Sequence, residues 1–263
     1  MLGKLAGKVA IVTGGGRGIG RAIAQAYLQE DAEVVVTAAR EKAEIEGLVE
    51  EAAPEKALAI LADVTDPEDC ERVMTGTVER FGKLVVLVNN AGRGMKDVSP
   101  EFLTEPPRFW ETDPEVWKMI VDINVNGPFF MARGVVPRML DTGGRSIVNV
   151  SINYGPMKRR GFSPYGPSKA ALESESIIWA QDLEGTGIRL NALLPGGATE
   201  TGMMPLGLSE EMRSRLLRPG IVAGPAIYRA SEDSSHLTGH RLVATAWTLE
   251  SPEGSLAADG LGI

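Results

Sequence analysis

With a single cysteine, Cys70, the chain of 263 residues can form no internal disulfide and has no cysteine cluster to hold a metal. Histidine is nearly as scarce: His236 and His240 are the only two, so no metal site is expected. No run approaches the roughly 20 apolar residues that a membrane span needs. The stretch before Val9 is broken by Gly3 and Gly7 and lacks the roughly 7 to 15 apolar residues of a secretory signal. These absences predict a cytoplasmic protein with no membrane partner. Positive charge is also short, 27 Lys and Arg against 35 Asp and Glu for a net charge of -8, which argues against nucleic acid as a partner.

What is present is ordinary globular material, 43% hydrophobic and 24% charged, without a linker or internal repeat. One domain is expected over residues 1–247, followed by a tail, 248–263, read either as disordered or as seated against another subunit. β-branched runs recur at Val9 to Thr13, Val34 to Thr37, Ala57 to Ala62, Leu84 to Asn89, Ile147 to Ser151, Arg189 to Leu194 and Leu242 to Ala246. Between them, Arg21 to Glu30, Pro67 to Phe81, Pro114 to Leu140 and Ser168 to Leu183 carry helical spacing. The alternation predicts an α/β fold, a single doubly wound parallel sheet of about seven strands with helices on both faces. In such sheets ligands bind beyond the carboxyl ends of the strands. Two long connections, 92–113 and 196–224, are expected to form a substrate pocket and its lid.

Directly after the first strand stand Gly14, Arg17, Gly18, Ile19 and Gly20, opening a helix. Glycines allow the tight turn and close backbone approach that a pyrophosphate requires, and the helix dipole favours its charge. The second strand ends in Ala38-Ala39-Arg40, where a carboxylate would hold the ribose hydroxyls of NAD. An acid there repels a 2′-phosphate and an arginine welcomes it, so Arg40, with Arg17 as a second cation, predicts NADP(H), NAD(H) being the alternative. Arg40 as a solvated helix-start residue is the competing reading. Asp63, followed by Val64, can accept a hydrogen bond from an adenine amino group or cap the next helix, for which Asp66 is better placed.

Tyr165 and Lys169 stand one helical turn apart on one face. Their place after the fifth strand, downstream of the glycine turn and of Asn89-Asn90-Ala91-Gly92, makes the spacing informative. With Asn124 in Ile123 to Gly127, and Pro195-Gly196 followed by Thr199, the chain resembles the short-chain dehydrogenase/reductase family from Lys8 to about Val243. The resemblance implies a Rossmann-like fold and an enzyme that interconverts a carbonyl and an alcohol, with Tyr165 as acid or base. It further implies that Lys169 lowers the phenol pKa and holds the cofactor ribose, and that Asn124 positions a water; Asn124 as a helix-backbone ligand is the bland alternative. The cofactor contacts it implies are Gly14, Arg17, Gly18, Ile19, Gly20, Arg40, Asp63, Val64, Asn90, Ala91, Gly92, Tyr165, Lys169, Pro195, Gly196 and Thr199.

The pattern breaks where the family places a substrate-binding serine: that position is Ile152. Ser151 precedes it, and strand alternation turns its hydroxyl to the other face unless a bulge intervenes. Ser151 is expected to serve, with Asn153 as the alternative donor. The break keeps open a second class, an NADP(H)-binding homologue with weak or no dehydrogenase activity that works as sensor or scaffold. Asp31 stands where glycine is usual, at a positive φ. Lys158-Arg159-Arg160 and Arg93 read either as binders of an anionic substrate or as a solvated turn. Met95, Phe102, Phe109, Trp110, Met203 and Met204 read as an apolar pocket or as ordinary packing. The resemblance implies a homotetramer or homodimer through the helices at 114–140 and 168–183.

Overall fold

In the computed structural model, which describes residues 2–143 and 145–257, the chain builds one seven-stranded parallel sheet. Its strands are β1 (Val9–Val12), β2 (Glu33–Ala38), β3 (Ala57–Leu61), β4 (Val86–Asn89), β5 (Ser146–Val150), β6 (Arg189–Leu194) and β7 (Arg241–Val243), in the order β3-β2-β1-β4-β5-β6-β7. The order reverses direction at β1 and β4, which opens the crevice where such sheets take ligands. β1, β4, β5 and β6 are buried along their whole length, as near-continuous apolar strands covered on both faces must be. One core cluster packs Ile23, Tyr27 and Val222 against one face of the sheet; the other packs Met74, Met131 and Met139 against the opposite face.

The helices are α1 (Gly18–Gln29), α2 (Lys42–Glu51), α3 (Pro67–Phe81), α4 (Pro114–Val121), α5 (Gly127–Thr142), α6 (Tyr154–Met157), α7 (Tyr165–Asp182), α8 (Glu210–Ser214) and α9 (Ala223–Ala230). Helix α3 shows why its ends are where they are. Asp66 accepts from the Glu68 amide, Pro67 opens the first turn, and Gly82 closes the helix at φ 76°. Asp31 adopts φ 66°, as its place in the α1 to β2 turn predicts.

One helix boundary needs correction, and two other segments gain detail. The helix at 114–140 is two helices joined by a π-helical turn, Asp122–Asn126, which carries Asn124 inward to zero exposure. The connection at 196–224 contains α8 and the start of α9. The tail is ordered as far as 257: Pro252–Ser255 form a 3-10 turn, Leu256 bridges Leu242, and the Ala257 amide donates to Arg241. Residues 258–263 lie outside the described residues, so the tail reading is untested there.

Glu175 on α7 carries a buried, unpartnered Oε2, and burial pushes its pKa up to about 7. The folded state therefore holds a proton that the unfolded chain gives up near the ordinary carboxyl value of 4.5, so this group costs stability as pH rises from there through about 7. Glu175→Gln is expected to raise Tm at about pH 8 and to leave it unchanged at about pH 4. Thermal melts at both values check this, and an equal effect at the two would contradict it.

Candidate active site

The carboxyl ends of β1 and β4 are stapled together. Thr13 Oγ1 accepts from the amides of Asn90 and Ala91, each at 3.0 Å. Asn90 Nδ2 donates back to the carbonyls of Thr13 at 2.9 Å and Gly14 at 3.1 Å. This leaves the turn into α1 no space for side chains: a Cβ at Gly20 would stand 2.3 Å from the Gly14 carbonyl oxygen. Gly14 and Gly18 take φ 61° and 55°, conformations that favour glycine.

Around this turn opens a cleft of about 800 Å³. Gly14, Arg17, Gly18 and Ile19 line it from the turn, Arg40 from the exit of β2, Asp63 and Val64 after β3, and Asn90, Ala91 and Gly92 after β4. Asp63 is oriented by Thr65, whose amide and hydroxyl both donate to Oδ1. Arg40 is exposed and has no ion-pair partner among the described residues, beside Ala38 and Ala39. Arg17 is paired with Glu44 at 3.3 Å on the same rim. Gly20, Pro195, Gly196, Thr199, Tyr165 and Lys169 do not line this cleft. Thr201 and Gly202, which the sequence did not single out, line it beside Met203, which is set against Gly92 and Gly94, and the Gly202 carbonyl accepts from Lys96 at 3.1 Å.

Tyr165 opens α7 and packs against the cluster of Met95, Phe102 and Phe162, with Met204 alongside. Met95 and Phe102 from one of the two long connections and Met204 from the other thus belong to the cluster that Tyr165 joins. Burial alone pushes its pKa up to about 12. Lys169 is buried, donates to the Val150 carbonyl at 2.9 Å, and is lowered by burial to about 8 against an opposing pull from Glu173. Asn124 is tied by both ends of its amide to the Arg93 backbone at 2.9 Å, and its Nδ2 also reaches Ser168 Oγ at 3.0 Å. Its side chain therefore fixes the loop after β4 to the start of α7.

Ser151 is not where the expected role needs it. It is 2% exposed, and its hydroxyl donates to Glu173 Oε1 at 2.6 Å, on the face of β5 that strand alternation dictates. No bulge returns it to the cleft. Ser151→Ala is expected to cost about 2 kcal/mol of stability, a charge-assisted hydrogen bond. Its effect on turnover should stay well short of the roughly 10²- to 10³-fold loss that follows removal of an oxyanion donor. Denaturant melts and steady-state rates on the same sample separate the two. Asn153 is also engaged, Nδ2 donating to the Gly196 carbonyl at 2.8 Å.

The basic turn is solvent-facing. Lys158, Arg159 and Arg160 are exposed, with Lys158 over the Tyr154 ring and Arg159 over the Phe162 ring. Arg93 does line the cleft, paired with Asp97 at 3.4 Å. Met95 and Phe102 are buried, whereas Phe109 and Trp110 are 66% and 64% exposed and stack edge-on to each other. Residues the sequence did not single out are Glu173 and Arg241. Helical spacing, four residues after Lys169, is the one signal that could have pointed to Glu173.

Residues 8–210 match the family model described as short chain dehydrogenase. Among curated proteins, a 3-oxoacyl-(acyl-carrier-protein) reductase of Thermotoga maritima is 33% identical, the match covering 90% of this chain and 95% of that protein. The L-fucose dehydrogenase of Bos taurus is 30% identical over 92% of this chain and 89% of its own. Among solved structures, the 3-ketoacyl-(acyl-carrier-protein) reductase of Brucella melitensis complexed with NADH superposes with a TM-score of 0.79 at 31% identity. That match covers 90% of this chain and 96% of the other.

Proposed function

The chain belongs to the short-chain dehydrogenase/reductase family, and from that premise we propose that it interconverts a carbonyl and a secondary alcohol with NADP(H), Tyr165 handling the proton. The observation that carries the reading is the Tyr165/Lys169 pair on one face of α7, the ammonium anchored on the β5 carbonyl and the phenol walled by apolar side chains. The glycine cradle, closed to any Cβ at Gly20, and the adjoining cleft fit a dinucleotide. Gly14, Gly18 and Ile19 would hold its pyrophosphate, Asp63 and Val64 its adenine, and Asn90 to Gly92 the path toward Tyr165. A bound nicotinamide supplies or accepts the hydride.

The chain's own residues move the proton. With its pKa raised by burial, Tyr165 keeps its proton at neutral pH, the state needed to protonate a developing alkoxide. Loss of that proton, as alcohol oxidation requires, depends on positive charge at Lys169. Replacing the hydroxyl expected at Ile152 by an alkyl group leaves Tyr165 as the donor to the substrate oxygen. The apolar wall of Met95, Phe102 and Phe162 excludes water from it.

Cofactor choice rests on Arg40 beside Ala38. Ala38→Asp with Arg40→Leu is expected to weaken NADPH about tenfold or more and to leave NADH no weaker, a swing of at least ~1.4 kcal/mol. Fluorescence titration of both cofactors tests it, and an unchanged ratio would refute the role of Arg40. The activity is tested by NADPH oxidation against a panel of carbonyls with Tyr165→Phe as control. We further assign the exposed Trp117, Phe129 and Ile178 on α4, α5 and α7 to contacts between copies in a homodimer or homotetramer.

A further inference from the structure

Beneath the proton-transfer pair lies a buried charge cluster that the reaction as described does not use. Glu173 follows Lys169 by one turn of α7 and its side chain is 2% exposed. The carboxylate accepts from Ser151 on one oxygen and meets Arg241 Nε at 2.7 Å on the other. Arg241 comes from β7, with its side chain 8% exposed. Its guanidinium lies 4.1 Å from the centre of the Tyr154 ring, and one of its nitrogens donates to the Ile152 carbonyl at 3.3 Å. Together with Lys169 on the Val150 carbonyl, the cluster grips three consecutive residues at the exit of β5.

A buried ion pair of this kind is weak evidence for a contribution to stability, because apolar residues of similar volume often serve as well. Its place supplies another reason. The charged groups acting on Glu173 are Lys169 from α7 and Arg241 from β7, with the Tyr154 ring of α6 against the guanidinium. Both are cations, and Glu173 is the one carboxylate among them. Without that charge two buried cations would face each other, and the one able to release a proton is Lys169.

We propose that Glu173 is a positioning residue for the proton-transfer pair: its carboxylate, fixed by Ser151 and Arg241, keeps Lys169 in the ammonium form beside Tyr165. The inference rests on the reading of Tyr165 and Lys169 given above. Burial already lowers Lys169 to about 8, and Glu173 is the group that opposes the fall. Removing the negative charge therefore moves the loss of the ammonium proton to lower pH.

The test is the pH profile of kcat/KM for carbonyl reduction, which reports the free enzyme. In Glu173→Gln, close to isosteric and uncharged, the basic limb is expected to move down by about one pH unit or more, the size that loss of a near opposite charge brings. Since Glu173→Gln leaves Arg241 without its anion and can destabilise the fold, the double variant Glu173→Met with Arg241→Met provides the second arm. An apolar pair tends to be tolerated in place of a buried ion pair, and a smaller downward shift is expected of it, because the Arg241 cation that faces Lys169 is removed together with the carboxylate. Lower Tm or lower kcat with the basic limb unmoved in the variant that folds would overturn the proposal, since a merely structural role predicts that outcome. Tyr165→Phe is run in parallel. If it stays active, the reading of the pair fails; if it is inactive while the basic limb of the Glu173 variants does not move, the inference about Glu173 fails alone.

Discussion

Tyr165→Phe is expected to lower kcat/KM for carbonyl reduction by roughly 10²- to 10⁴-fold, the usual worth of a positioned general acid. The ring remains to pack on Met95, Phe102 and Phe162, so Tm should hold and NADPH affinity should change little. That separation is the point of the variant. Ile152 offers no hydroxyl, Ser151 is turned onto Glu173, and the Asn153 amide is engaged with Gly196. None of these three stands ready to share the work of Tyr165. Rates within a few-fold of the parent, with the fold intact, would remove the phenol from the mechanism.

The second large effect is expected at the other end of the site. In Gly20→Val a Cβ would meet the Gly14 carbonyl oxygen at 2.3 Å and Asn90 Nδ2 at 2.4 Å. One neighbour is backbone, and the other is the clasp between the ends of β1 and β4, so neither can swing aside. The turn must move by about 1 Å, and displacements of that order cost roughly 10²-fold in a positioned site. NADPH binding is expected to weaken by about that factor, with turnover falling alongside it. Overpacking also costs about 1–3 kcal/mol of stability, so titration belongs at a temperature well below the melt. Native affinity in a folded Gly20→Val would show that the cofactor does not sit on this turn.

Much of the frame was legible because its causes are local. Strands buried on both faces are largely apolar, and all seven could be read from short apolar runs, although β6 carries no β-branched residue. Asp66, Pro67 and Gly82 punctuate α3, and its predicted ends match the observed ones. Helix α2 was missed because its N-terminus has no side-chain cap and it buries only Ile45 and Leu48. Helix α9 was missed because Gly224 and Pro225 in its first turn read as loop residues. The π-turn at Asp122–Asn126 leaves the helical pattern uninterrupted in sequence. What reveals it is the inward turn of Asn124 to the Arg93 backbone, a contact made across the fold.

The site divides along the same line. The glycine turn, Asp63, Asn90 to Gly92 and Arg40 gather at one cleft because each follows a strand whose end the topology brings there. The fate of Ser151 was implied by strand alternation, although its partner was not. Glu173 and Arg241 lie far apart in sequence, and pairing β6 with β7 is what brings them together. A charge whose partner arrives through sheet order leaves no local trace.

The most direct measurement follows an isotope. NADPH carrying deuterium on its transferable carbon, incubated with the protein and whichever carbonyl of the panel it reduces, should place the label on the carbinol carbon of the product by mass spectrometry. Turnover with that label, slowed by at least about 10²-fold in Tyr165→Phe, is the predicted result. Tight NADPH binding with no carbonyl reduced, or oxidation of the cofactor with no label in an alcohol, would contradict the account and favour a cofactor-binding sensor or scaffold.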